Sequence, residues 1–137
     1  MVVYSISTQS TLASQQFDFN SNLDSSLLKE YYGTSIKDVL TMFEVFLETT
    51  SKELIELDIT NDAPFLIRRK IHKMKPNFKL VGLPEYYEAF LVIETQWETN
   101  DSILTHLNKL KELKYKFQSF YLPIIKQESN RMKQFIR

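Results

Sequence analysis

With two histidines and no cysteine, this sequence has few side chains able to attack an electrophile near neutral pH. One of the histidines stands in unusual surroundings. In the stretch from Asn61 to Pro84, at about 100° per residue on an α-helix, Ile67, Ile71, Met74, Phe78 and Val81 fall on one apolar stripe. His72 points away from that stripe toward solvent, and Arg68, Arg69, Lys75 and Lys79 lie on its side at i−4, i−3, i+3 and i+7. No Asp or Glu occurs between Ala63 and Pro84, although the chain carries seventeen acidic and seventeen basic residues overall. Imidazole is largely unprotonated and nucleophilic near pH 7. A phosphoryl group on its nitrogen forms a labile bond suited to passing the group onward. Phosphohistidine brings about two negative charges, and a cation about 6 Å away contributes roughly 1–3 kcal/mol before salt and side-chain entropy reduce it. An exposed histidine among Lys and Arg is also what ordinary solvated surface looks like, so spacing alone leaves both readings open. His106 lacks such a cationic neighbourhood and adjoins a core position, which predicts a structural role.

The elements that must position His72 read as helices. Asp24 caps a short one running to Tyr32, with Gly33 as its stop. Ser35, with Asp38 three residues on, opens a long helix to about Leu57 whose core stripe is Ile36, Leu40, Phe43, Leu47 and Leu54. Val39, Met42 and Phe46 widen that stripe. Met42 and Phe46 are candidates for a partner-docking surface beside His72, the alternative being that the first helix covers them. Asn61 or Asp62 is the expected cap of the His72 helix, with Pro64 in its first turn. Pro76 removes the hydrogen bond to the His72 carbonyl and predicts a kink or loosened turn just past the histidine. Gly82 ends that helix and Pro84 starts the next, which runs to about Trp97 with Tyr86, Tyr87, Phe90, Leu91, Ile93 and Trp97 as a broad apolar face. A turn at Thr99 to Ser102 caps the last helix, where Ile103, Leu107, Leu110, Phe117, Phe120 and Ile124 repeat and Pro123 must bend or stop the chain. Short connections imply antiparallel neighbours. The expected fold is all-α, an antiparallel up-down four-helix bundle with a short extra N-terminal helix, spanning 23–137. Residues 1–22, rich in Ser, Thr, Gln and Asn, read as a flexible polar arm against which Phe17 and Phe19 are the exceptions that could tuck in.

His72-Lys73-Met74-Lys75-Pro76, followed by Gly82-Leu83 and then Glu94 behind an apolar helix, resembles the histidine-containing phosphotransfer (HPt) domains of bacterial phosphorelays. The order of helices fits that family from about Leu23 to Asn130. The resemblance implies that His72 accepts a phosphoryl group from a receiver-domain aspartate and hands it to another. It makes Lys75 the phosphate-stabilising partner, with Arg68, Arg69 and Lys79 in support. The implied partners are receiver domains of hybrid histidine kinases and response regulators, with magnesium expected on the receiver and no cofactor on this chain. The family's usual Gly after the Lys is Pro76 here, which narrows the expected choice of receiver.

Length and composition bound the rest. The 137 residues, 43% of them hydrophobic, predict one domain with a modest core. Two Gly and four Pro favour long regular elements. A formal net charge of zero speaks against wholesale attraction to nucleic acid or membrane. No apolar run suffices to span a bilayer, and the first residues lack the pattern of a signal peptide, so the expected place is the cytoplasm. No Gly-rich segment exists to cradle a nucleotide, so the chain is not expected to be a kinase or any other enzyme. The competing reading is a phosphorylation-independent binding module that holds or inhibits a kinase or receiver.

Overall fold

A computed structural model describes residues 16–99 and 103–136, and every regular element among them is helical. The order is α1 (Ser25–Tyr32), α2 (Ile36–Glu48), α3 (Thr50–Glu56), α4 (Pro64–Lys79), α5 (Pro84–Thr99), α6 (Ile103–Lys116), a π-helical turn at Phe117–Tyr121, and α7 (Leu122–Phe135). α4 packs chiefly on α5 and also meets α3, while α2 lies between α1 and α7. No helix among the described residues is long and apolar enough to cross a membrane. Of the capping turn expected at Thr99 to Ser102, Thr99 instead closes α5 and residues 100–102 lie outside the described residues, as does the arm before residue 16.

Local chemistry accounts for most of the boundaries. Asp24 accepts from the Leu27 amide at 2.9 Å and starts α1, and Gly33, at φ +60°, ends it. Ser35 caps α2 through the Asp38 amide. The long helix expected to reach Leu57 instead breaks at Thr49, where φ −116° and ψ −81° leave the helical region. The Thr49 hydroxyl and amide both donate to the Val45 carbonyl, at 2.7 and 3.0 Å, and close α2 there before α3 sets off separately.

The start of α4 also differs from expectation. Its N-cap is Ala63 with no side-chain cap, and Pro64 sits at the first position. Asn61 and Asp62 build the preceding turn instead. Asp58 accepts from the Thr60 and Asn61 amides at 3.1 and 3.0 Å and from the Asn61 side chain at 2.8 Å, and Asp62 accepts from the Asp58 amide at 3.1 Å. Those donors, the Asn61 side chain foremost, hold the Asp58 carboxyl below its usual range.

The two interior prolines are absorbed rather than obeyed. α4 continues as α-helix through Pro76 to Lys79, with Pro76 on the exposed side. Pro123 does not stop the last helix, because the π turn just before it widens the ladder. There the Leu122 amide bonds back to the Phe117 carbonyl, five residues away. The extra residue shifts the inward face by one. Tyr121 and Ile125 are buried where Phe120 and Ile124 were expected, and Phe120 is 42% exposed.

The core gathers around Phe78 of α4. Its ring lies 5.2 Å from Phe46 of α2, 5.1 Å from Tyr86 and 5.3 Å from Phe90 of α5, and 5.8 Å from Phe117 of the π turn. One side chain thus ties four elements together at the end of the helix that carries His72. Phe46 is 2% exposed and belongs to this cluster, which removes it as a docking residue. Met42 is half-buried. The chain before α1 is fastened at residues 16–23, contrary to the loose arm its composition suggests. Phe17 packs edge-on against Phe135 at 5.4 Å, and Arg131 sits over the Phe17 ring at 4.6 Å and donates to the Asp18 carbonyl at 3.0 Å.

Candidate functional site

His72 lies on the third turn of α4, with Ile71 and Met74 fully buried to either side of it along the chain. Its side chain is 74% exposed. Opposite it on α5, Glu94 occupies a position among the core residues Phe90, Ile93 and Trp97, at i, i+3, i+4 and i+7 spacing. Glu94 is 9% exposed and Lys75 7% exposed. Carboxylate, ammonium and imidazole meet at this edge of the core. Nδ1 of His72 is 2.7 Å from Oε1 of Glu94, Nζ of Lys75 is 2.6 Å from Oε2 of Glu94, and Nζ of Lys75 is 3.0 Å from Nδ1 of His72.

Two of these contacts compete for Nδ1: the Glu94 carboxylate can only accept a hydrogen from it, and the Lys75 ammonium can only donate one to it. Were Nδ1 bare, two lone pairs would face each other across 2.7 Å unless Glu94 were protonated. The Lys75 pair at 2.6 Å requires the carboxylate form. The shorter contact, to the carboxylate, favours the tautomer with hydrogen on Nδ1, which leaves the Nε2 lone pair on the far side of the ring. The carboxylate holds the imidazole in one tautomer and orientation, an arrangement that favours positive charge developing on the ring when Nε2 attacks.

The remaining residues divide. Arg68 and Arg69 share with His72 and Lys75 an open groove of about 850 Å³, bordered by Lys70, Lys73 and Glu53 and floored by Phe65, Leu66 and Leu91. Lys70 is 3.8 Å from Asp62, and Lys73 is 3.5 Å from Glu53. Lys79 lies about two turns along the helix, and its Nζ is engaged 3.9 Å over the Tyr87 ring. Lys75 is not the solvated cation its spacing suggested but a buried member of the Glu94 pair. Leu91, expected in the core, is 36% exposed and lines the groove, as does Phe65 at 67%. His106 is 3% exposed and stacks on Trp97 at 5.6 Å, as a structural histidine would. The role of Glu94 is what helical spacing around His72 alone misses. The available signal was a carboxylate on the apolar stripe of α5, which demands a buried partner.

Compared with known proteins, the chain matches no family model, no curated protein and no solved structure.

Proposed function

We propose that the chain is a phosphocarrier of the HPt type. In this reading its helices form an antiparallel up-down four-helix bundle, α2 with α3, α4, α5, and α6 with α7, closed at one end by α1. Nε2 of His72 accepts a phosphoryl group from a receiver aspartate and returns it to another receiver. The chain itself is a substrate of this exchange and not an enzyme. Magnesium comes with the receiver, and the partners are receiver domains of hybrid kinases and response regulators in a bacterial cytoplasm. The observation that carries the reading is the His72 ring, 74% exposed, with Nδ1 tied 2.7 Å from a nearly buried carboxylate. Such a ring presents one nucleophilic nitrogen to an incoming protein. Arg68 and Arg69 border the groove into which the anion would enter.

Incubation with a phosphorylated receiver is expected to label the protein with acid-labile, alkali-stable phosphate, and His72→Gln to abolish the label. Labelling that survives in His72→Gln would remove His72 from the role. The exposed Phe65 and Leu91 along the same groove favour a second reading, a binding module that grips a kinase or receiver without phosphorylation. Receiver affinity unchanged by His72→Ala, with no label in the wild type, would select it.

A further inference from the structure

We propose that the face of α7 carrying Glu128, Arg131 and Phe135 is a peptide-binding groove, filled by the chain's own residues 17–20 and open in trans to an extended segment of another protein with two aromatic side chains at i and i+2. The site does not involve His72 and stands apart from the phosphocarrier reading.

The groove reads a main chain. Glu128 is 1% exposed and uses both carboxylate oxygens: Oε2 accepts from the Asn20 amide at 3.1 Å, and Oε1 accepts from Arg131. Arg131 in turn donates through Nη2 to the Asp18 carbonyl at 3.0 Å and spreads its guanidinium 4.6 Å over the Phe17 ring. Phe17 meets Phe19 edge-on at 4.9 Å and Phe135 at 5.4 Å. The bound segment therefore supplies one amide, one carbonyl two residues before it, and a pair of rings. Amide and carbonyl belong to any extended chain, so only the rings are particular to this one. For stability alone an apolar side chain at position 128 would serve as well as a buried carboxylate. A carboxylate there instead demands a segment with a free N–H at that point, because without one it is left unsatisfied.

The filling segment is separable from the fold. Just beyond it the chain is fastened a second time, by Leu23, which is 4% exposed, and by the Asp24 amide, which donates to the Gly82 carbonyl at 2.8 Å. Between the two fastenings runs a short turn in which the Asn20 side chain accepts from the Asn22 amide at 2.8 Å and the Asn20 carbonyl from the Leu23 amide at 3.0 Å. Phe17, Phe19 and Asn20 are half-buried, and Asp18 and Ser21 are exposed. Lifting residues 17–20 uncovers the groove and leaves the second fastening in place. Nor do these residues cover all the apolar surface beside Phe17, since Phe135 stays 42% exposed. A partner with a larger apolar side chain beside its first ring buries more of it and so competes with the tethered segment.

The test uses the full chain with Phe17→Ser and Phe19→Ser, which empties the groove without altering α7, and a fluorescein-labelled peptide copying residues 16–21, QFDFNS. Anisotropy is expected to show saturable binding to that variant, and binding at least about tenfold weaker to the wild type, whose own segment competes at a high effective concentration. Methylating the peptide nitrogen equivalent to the Asn20 amide, which changes nothing on the protein, is expected to weaken binding at least about tenfold. A scrambled peptide of the same composition is expected to weaken equally. Glu128→Gln added to the emptied chain should also weaken binding. If that variant does not fold, Arg131→Lys, which keeps the charge and loses the planar contact with ring and carbonyl, takes its place. No saturable binding below about 1 mM, equal binding by the methylated or scrambled peptide, or equal affinity of wild type and emptied chain would overturn the inference. A wild-type chain that dimerises with concentration and returns to monomer on adding the peptide would assign the groove to a second copy and overturn its assignment to a separate partner.

Discussion

At the scale of single residues, the arrangement that matters is a shared carboxylate. Glu94 serves two donors with two oxygens, so neither His72 nor Lys75 can be understood without it. The side chains of the ion pair are only 9% and 12% exposed, which makes removal of one partner costly and removal of both cheap. Lys75→Met is expected to lower stability by about 3 kcal/mol in urea unfolding, and adding Glu94→Leu to restore it to within about 1 kcal/mol of wild type. A single variant as stable as the parent would mean that water already solvates the pair. The sequence made His72 and Lys75 legible as neighbours, since i and i+3 on a helix must adjoin. It did not reveal which ring nitrogen carries hydrogen, because that depends on a rotamer meeting a side chain twenty-two positions away. Phe46 was misplaced for a related reason. A wide apolar arc on α2 cannot by itself say which edge meets α1 or α7 and which meets the rings of α4.

At the scale of elements, the turn between α4 and α5 sets where the His72 helix ends. Gly82 has φ +79°, and a Cβ there would stand 3.2 Å from the Asp24 amide nitrogen and from Leu28, and 3.3 Å from Leu23. Gly33, at φ +60°, has open space around the same position. Gly33→Ala should therefore cost only the strain of a backbone at φ +60°, ψ −125°, about 1–3 kcal/mol, and Gly82→Ala distinctly more, because the Asp24 amide donates to the Gly82 carbonyl at 2.8 Å and cannot retreat freely. Equal losses in thermal melts would show that the close approach relaxes without penalty. Beside this turn, the Tyr32 hydroxyl donates to the Leu80 carbonyl at 2.7 Å, and burial, with Tyr31 nearby, pushes its pKa up to about 12. An acid whose folded pKa lies above its unfolded value of 10.0 stabilises fully below that value and ceases to as pH rises toward 12. Stability should fall across that window, and Tyr32→Phe should make the fall shallower. The remaining part comes from Tyr86 and Tyr121, whose hydroxyls burial also raises. Helix existence, the caps at Asp24 and Ser35 and the first-turn place of Pro64 were readable from local chemistry, whereas the cap before Pro64 was not. The Thr49 break and the π turn were not, since each is a choice between two nearly equal backbone ladders that tertiary packing decides.

At the scale of the whole molecule, the face that carries chemistry and the face that ties down the chain's beginning are separate. No residue from 16 to 23 lines the groove beside His72. The segment is held instead by α7, through Glu128, which is 1% exposed, accepts from the Asn20 amide at 3.1 Å and pairs with Arg131. Arg131 in turn covers Phe17 and reaches the Asp18 carbonyl. Composition could not show this, because a polar stretch with two phenylalanines looks loose until a buried carboxylate elsewhere is seen to need its backbone. Arg131→Ala leaves the Glu128 carboxylate without its cation; because Arg131 is 43% exposed, water can take its place, and the loss is about 1–2 kcal/mol. It should also speed hydrogen exchange at the Asn20 amide far more than at amides in the middle of α4. Phosphoryl labelling of His72 should proceed at the parental rate under conditions where the variant remains folded. Slower labelling would mean that the strap and the α4–α5 face are coupled through the core around Phe78. Unchanged exchange at Asn20 would mean that Phe17 and Leu23 suffice to hold the segment without the charged pair.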